Sequence, residues 1–142
     1  VLNVFKVPGA RSVIGASHDA ETDRIFAAAQ GSDNLVILNG ADGSVVADTP
    51  VGAGALNVVF DPVKRLAYVS NFNGGTITVT DVDGKIVANL DGGPVTNHVS
   101  TAHQTQGLIR FPGSPDLETP RARTARGVFA FRGLPGVFCA AA

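Results

Sequence analysis

Hydrophobic and polar positions along the chain fall into short runs, none of them with a helical period. In the clearest stretch Ala55 to Phe60 is apolar, Asp61-Pro62-Val63-Lys64 is a turn, and Leu66 to Ser70 is a second apolar run. Asn71-Phe72-Asn73-Gly74-Gly75 is a loop, after which Thr76 to Thr80 alternates Thr with Ile77 and Val79, the period of a half-buried strand. Asp83-Gly84 then predicts a hairpin into Lys85 to Leu90, and Asp91-Gly92-Gly93-Pro94 closes the unit. An earlier stretch follows the same plan, with strands expected at Ser12 to Ser17, Ile25 to Ala29, Asn34 to Leu38 and Ser44 to Asp48. Val1 to Val7 reads as the outer strand of a preceding unit.

The two stretches are copies. Arg24-Ile25 recurs 41 residues later as Arg65-Leu66, Asp42-Gly43 as Asp83-Gly84, and Val45-Val46-Ala47 as Ile86-Val87-Ala88. The offset slides to 42 at Asp19 and Asp61, and at Leu35 and Ile37 against Ile77 and Val79, so a one-residue length difference belongs in a loop. Four strands repeating every 41 residues is the period of a propeller blade, whose sheets pack face to face around a channel. The expected fold class is therefore all-β: four-stranded antiparallel blades of an incomplete β-propeller. About 41 residues per blade allows two blades and the start of a third, and propellers close with more.

Particular residues carry a family likeness. Leu66-Ala67-Tyr68-Val69-Ser70-Asn71, then Gly75 to Asp81, then Asp83 to Ala88, resembles the YVTN-type β-propeller repeat, whose name-giving strand stands here as Tyr68-Val69-Ser70-Asn71. Val51-Gly52 and Phe60-Asp61-Pro62 fit the same pattern, and Phe26-Ala27-Ala28-Ala29 is its degraded copy in the earlier unit. The resemblance covers roughly residues 1–100. It implies an exported prokaryotic protein, periplasmic or extracellular, that binds a protein, a nucleic acid or a small ligand. No signal peptide is visible, so a leader was removed or the sequence begins within a longer protein.

The third copy starts and then fades. Pro94 to Ser100 fits an inner strand, with His98 at the position of Asn57 and Val99 at that of Val58. Asp61-Pro62 should recur at 102 and 103, where Ala102-His103 stands, and Gly107 to Phe111 is at most a remnant of the next strand before Pro112 and Pro115. Residues 101–142 thus form a second segment, read as a divergent or partly disordered terminus or as a translated shifted frame; Gly127 to Ala142 is apolar enough for a strand.

Composition narrows these readings. The chain is 44% hydrophobic and 16% charged, with seventeen Gly, eight Pro, no Trp and no Met, which suits many short strands and excludes a helical bundle. No apolar run reaches the length of a membrane-spanning helix. The net charge of −1 does not point to nucleic acid, although it divides unevenly: residues 1–100 carry six basic and ten acidic groups, residues 101–142 five Arg and two acids. Cys139 is the single cysteine, which excludes an internal disulfide, and its apolar neighbours do not activate it.

Candidate chemistry concentrates at one end of the expected channel. Inner strands offer Ser17, His18, Asn57, Asn97 and His98, and the loops Gln30 to Asn34 and Asn71 to Gly75 lie at the same end as the inter-blade turns. Asn57, Asn71, Phe72, Asn73 and His98 are the expected ligand- or partner-binding residues. Phe72 is either a recognition anchor or a cover for a neighbouring blade. Ser17-His18-Asp19 has the residue types of a hydrolase triad, but strand neighbours point to opposite faces, so Asp19 is expected to be a turn residue like Asp61. His18, His98 and His103 lack a completing ligand set, and Asp81-Val82-Asp83-Gly84 lacks the later positions of a calcium loop, so no metal and no cofactor are expected. Gly113-Ser114-Pro115 is not a phosphate loop. The resulting expectation is a non-catalytic binding scaffold that recognises a protein or small ligand, and self-association to complete a ring is a further expectation. The alternative is a fragment of a propeller enzyme, lactonase-like or haem-binding.

Overall fold

A computed structural model describes residues 4–101, 129–130 and 137–141, the last two stretches as backbone only. Its elements are strands throughout. β1 (Val13–Asp19), β2 (Arg24–Ala29), β3 (Asn34–Asn39) and β4 (Val45–Pro50) form one four-stranded antiparallel meander; β5 (Ala55–Asp61), β6 (Leu66–Asn71), β7 (Thr76–Thr80) and β8 (Ile86–Asp91) form a second. A third sheet, order β10-β11-β9, joins β9 (Thr96–Thr101) to β10 (Phe129–Ala130) and β11 (Val137–Ala141). The all-β class and the four-stranded blades are as the sequence predicts.

Period-two alternation turns each central strand into a two-sided wedge. Phe26, Ala28, Leu35 and Ile37 on one face of blade 1 meet Val58, Phe60, Ala67 and Val69 of blade 2, and Phe26 stacks on Phe60 at 5.0 Å between ring centroids. Such an offset pair adds about 0.5–1.5 kcal/mol beyond its burial. The opposite face of blade 2 places Tyr68, Ile77 and Val79 against Val99 of β9. Central strands buried on both faces are what the dense Val, Ile and Ala content provides for.

The backbone repeats as regularly as the packing. Left-handed residues precede the inner strands at Ser12, Gly54 and Val95, occupy the first turn of each blade at Asp23 and Arg65, the second at Asp33 and Gly75, and the third at Gly43 and Gly84. The first three strands of the blades correspond at an offset of 42 and the fourth at 41, so the slip lies in the third turn. It is closed by Asn39 N–H to Ser44 O in blade 1 and by Asp81 N–H to Lys85 O, one residue shorter, in blade 2. The register pairs Asp19 with Arg24 but Asp61 with Leu66, so Arg65 corresponds to Asp23 and the sequence match of Arg24 with Arg65 is one residue out.

Two further expectations need correction. Residues 4–7 form no strand; instead Phe5 packs where a Cβ on Gly43 would stand, and Gly9 O accepts from Asn34 Nδ2 at 3.3 Å. Val1 to Asn3 lie outside the described residues, as does Gly107 to Phe111. The strand beside β9 comes from the far end of the chain: Phe138 pairs with Ser100 as Tyr68 pairs with Val59 and Phe26 with Ser17.

Candidate functional site

The inner strands and the second turns converge at one end of the array. There Phe72 N–H donates to Gly54 O and Gln30 N–H to Ser12 O, each tying a loop to the start of its own blade's inner strand. Gly92 N–H to Gly75 O and Val51 N–H to Asp33 O attach the inter-blade turns to the same loops. Asp33 adds a side-chain bond, accepting from Gly54 N–H at 2.7 Å.

The centre of this end is a bridge between repeat-related residues. Asn57 Nδ2 donates to His98 Nδ1 at 2.6 Å, joining the inner strands of blades 2 and 3 and leaving the ring proton on Nε2. Below it the buried Ser70 hydroxyl donates to Asn97 O at 3.2 Å and accepts from Asn57 N–H at 3.2 Å. His98 is exposed and Asn57 half-buried, so the bridge presents a polar edge to solvent. Asn73 is exposed in the second turn of blade 2, its backbone packed so closely on Gly54 that a Cβ there would stand 2.8 Å from Asn73 N.

The other two expected site residues are placed differently. Phe72 is half-buried. Asn71 is fully buried, its Nδ2 donating to Thr76 Oγ1 at 3.0 Å and Thr78 Oγ1 at 2.9 Å, so it braces the loop from within and offers no surface to a partner. Its amide holds the strand end to the next strand, which explains an Asn at the end of the Tyr68-Val69-Ser70-Asn71 run. The Tyr68 hydroxyl is also buried, with no hydrogen-bond partner among the described residues, and desolvation pushes its pKa up.

His18 and Asp19 lie at the opposite end and form no triad. Asp19 Oδ1 accepts from Glu21 N–H at 3.1 Å and its other oxygen from Thr22 Oγ1, the turn role also seen at Asp61, which caps Val63 and Lys64 N–H. Asp19 also receives the Arg65 guanidinium of blade 2, and these hydrogen bonds, foremost those from Arg65, hold its carboxyl down at about 2 against desolvation. His18 Nε2 donates to Asp23 Oδ1 at 2.9 Å on the surface. Ser17 turns the other way and accepts from Phe60 N–H of blade 2 at 3.1 Å. Among the described residues no group of three His, Cys, Asp or Glu is placed to hold a metal ion. His103, Gly113 to Pro115 and the Cys139 side chain lie outside the described parts.

Sequence reasoning found Asn57 and His98 as repeat equivalents but missed Ser70 and Arg65. Ser70 had a signal, standing at the Thr position of the name-giving strand; Arg65 had only its place in a turn.

No protein-family model matches the chain, and no curated protein matches it in sequence. Among solved structures, hydrazine synthase of Kuenenia stuttgartiensis, a β-propeller-containing protein, superposes with a TM-score of 0.59 at 11% identity. The match covers 70% of this chain and 28% of that one. At that identity the likeness shows the fold alone, and the fold is that of partial propeller blades.

Proposed function

We propose that the chain is a non-catalytic propeller scaffold of YVTN type that recognises a protein or small ligand at its loop end, through Asn57, Phe72, Asn73 and His98. The Asn57–His98 bridge carries this reading: it sets a hydrogen-bonding edge across two blades, at the end that also carries exposed Asn73. Polar groups fixed by a rigid scaffold lose little entropy when a partner engages them. Ser32, Asp33, Asn34 and Asn71 at this end hold loops and strand ends in place. Asn71 enters as the brace of the recognition loop, not as a contact. The exported location implied by the family resemblance belongs to the same proposal, whereas the chemistry in the structural neighbour's name is not carried over.

Affinity capture with the purified chain from periplasmic and culture-medium fractions of a prokaryote encoding it tests the reading. A partner retained by the wild type and lost by Phe72→Ala/Asn73→Ala, with unfolding temperature unchanged, supports it. Equal retention by that variant overturns the assignment of the loop end.

A further inference from the structure

The inter-blade turn from Val51 to Gly54 joins β4 to β5, and one residue of blade 1 grips it at both ends. Asp33, exposed in the second turn, accepts from Val51 N–H through its backbone oxygen at 2.9 Å and from Gly54 N–H through Oδ1 at 2.7 Å. On its other side the same turn carries the loop that holds Phe72 and Asn73. Gly74 N–H donates to Ala53 O and Phe72 N–H to Gly54 O, both at 2.9 Å.

Two of these bonds share one peptide unit. The Ala53 carbonyl and the Gly54 N–H lie in a single plane and point in opposite directions, so a carboxylate that fixes the one fixes the aim of the other. A carboxylate acceptor makes the stronger, charge-assisted kind of bond, and it polarises the peptide so that Ala53 O becomes a better acceptor. Asp33, the Ala53–Gly54 peptide and Gly74 thus form one hydrogen-bonded line from blade 1 to the neighbour of Asn73. Gly54 is buried, and backbone is pressed on backbone there, so the line has little slack.

The next boundary shows the same turn without the side-chain grip. Gly75 stands in the place of Asp33, left-handed like it, at φ +61° against +53°. It keeps the backbone bond, accepting from Gly92 N–H at 2.8 Å, but has no carboxylate, and a Cβ there would stand 2.8 Å from Gly93 O. We propose that Asp33 of blade 1 is the positioning residue of the recognition loop in blade 2: its carboxylate, acting through the Ala53–Gly54 peptide, sets where Phe72 and Asn73 are presented. This rests on the loop end being the recognition surface, and it makes the second turns of two adjacent blades a single unit.

Amide hydrogen exchange of the isotope-labelled 142-residue chain tests it. Asp33→Gly removes the carboxylate at a position whose counterpart is already glycine, and it is expected to speed exchange about tenfold at both Gly54 and Gly74, the loss of one charge-assisted bond. Asp33→Asn keeps an acceptor oxygen and tolerates the left-handed backbone, so it is expected to restore most of the protection. Gly92 is expected to keep its wild-type rate in both. If Asp33→Gly does not fold, Asp33→Ala is read in the same way. Faster exchange confined to Gly54, equal rates in the Asn and Gly variants, or an equal rise at Gly92 overturns the proposal. These rates need no partner, so a failure of partner capture at Phe72 and Asn73 is distinguishable from a failure of Asp33 to hold the loop.

Discussion

Asp19, at the end of the inner strand of blade 1, is held by Arg65 of blade 2 through two parallel bonds, Nη1 to Oδ1 at 2.7 Å and Nη2 to Oδ2 at 2.6 Å. Asp19 is 2% exposed and Arg65 28%, so the pair is largely withdrawn from water and links the two blades at the end away from the loops. The guanidinium also lies 5.1 Å over the Phe60 ring, which fixes its plane.

Replacing Arg65 by Met keeps the aliphatic stem and removes the fork. Asp19 is then a buried carboxylate with turn donors only, and the expected loss is about 1.5–3 kcal/mol in denaturant unfolding. Arg65→Lys is expected to recover only part of it, because a point charge does not reproduce the parallel pair.

The same pair sets an acid limit. The Asp19 carboxyl is lowered to about 2 in the folded chain from an ordinary 3.8, so the folded state binds the proton less readily than the unfolded state. The stabilisation is complete above about pH 4 and disappears as the pH falls toward 2. Stability measured between pH 5 and pH 2 should fall in the wild type, and more shallowly in Asp19→Asn, which has no carboxylate to protonate.

Val95 sits at φ +54°, where the equivalent position of blade 2 is Gly54 at φ +75°. A β-branched residue pays about 1–2 kcal/mol in that region, partly offset in a glycine variant by chain entropy. Val95→Gly is expected to stabilise the chain by about 1 kcal/mol, read as a higher denaturant midpoint at unchanged slope.

Gly15 is a point of close approach between the first two inner strands. A Cβ there would stand 2.8 Å from Asn57 Cα and 2.9 Å from Leu56 O, both backbone atoms that cannot swing aside. Gly15→Ala is expected to cost about 1–3 kcal/mol by forcing the blades apart. Calorimetry of the variant beside Ala16→Gly separates this overlap from general loss of strand propensity.

Most of the fold is legible in the residues themselves. Thr76 to Thr80 announces its strand by strict alternation, Asp83-Gly84 announces its hairpin, and the copies of both at a fixed offset announce the blade. The candidate site is legible only where repeat position and exposure coincide, as at His98. Asn71 reads as a loop residue because polarity alone does not say whether an amide faces solvent or two threonines inside the sheet. Arg65 reads as the partner of Arg24 because identical letters one residue apart outweigh a left-handed turn that letters do not display. Pairing of β9 with Val137–Ala141 is invisible for another reason: local pattern carries no information on which distant strand completes a sheet.

The central claim, that two repeated sheets stack through their inner strands as propeller blades, is tested most directly by nuclear Overhauser spectroscopy of the labelled chain. A cross-peak between the Hα protons of Gly15 and Asn57 is predicted, since these residues meet across the blade boundary and are 42 positions apart in sequence. Assigned resonances for both residues with no such cross-peak, or with contacts of Gly15 confined to β2, would contradict the account.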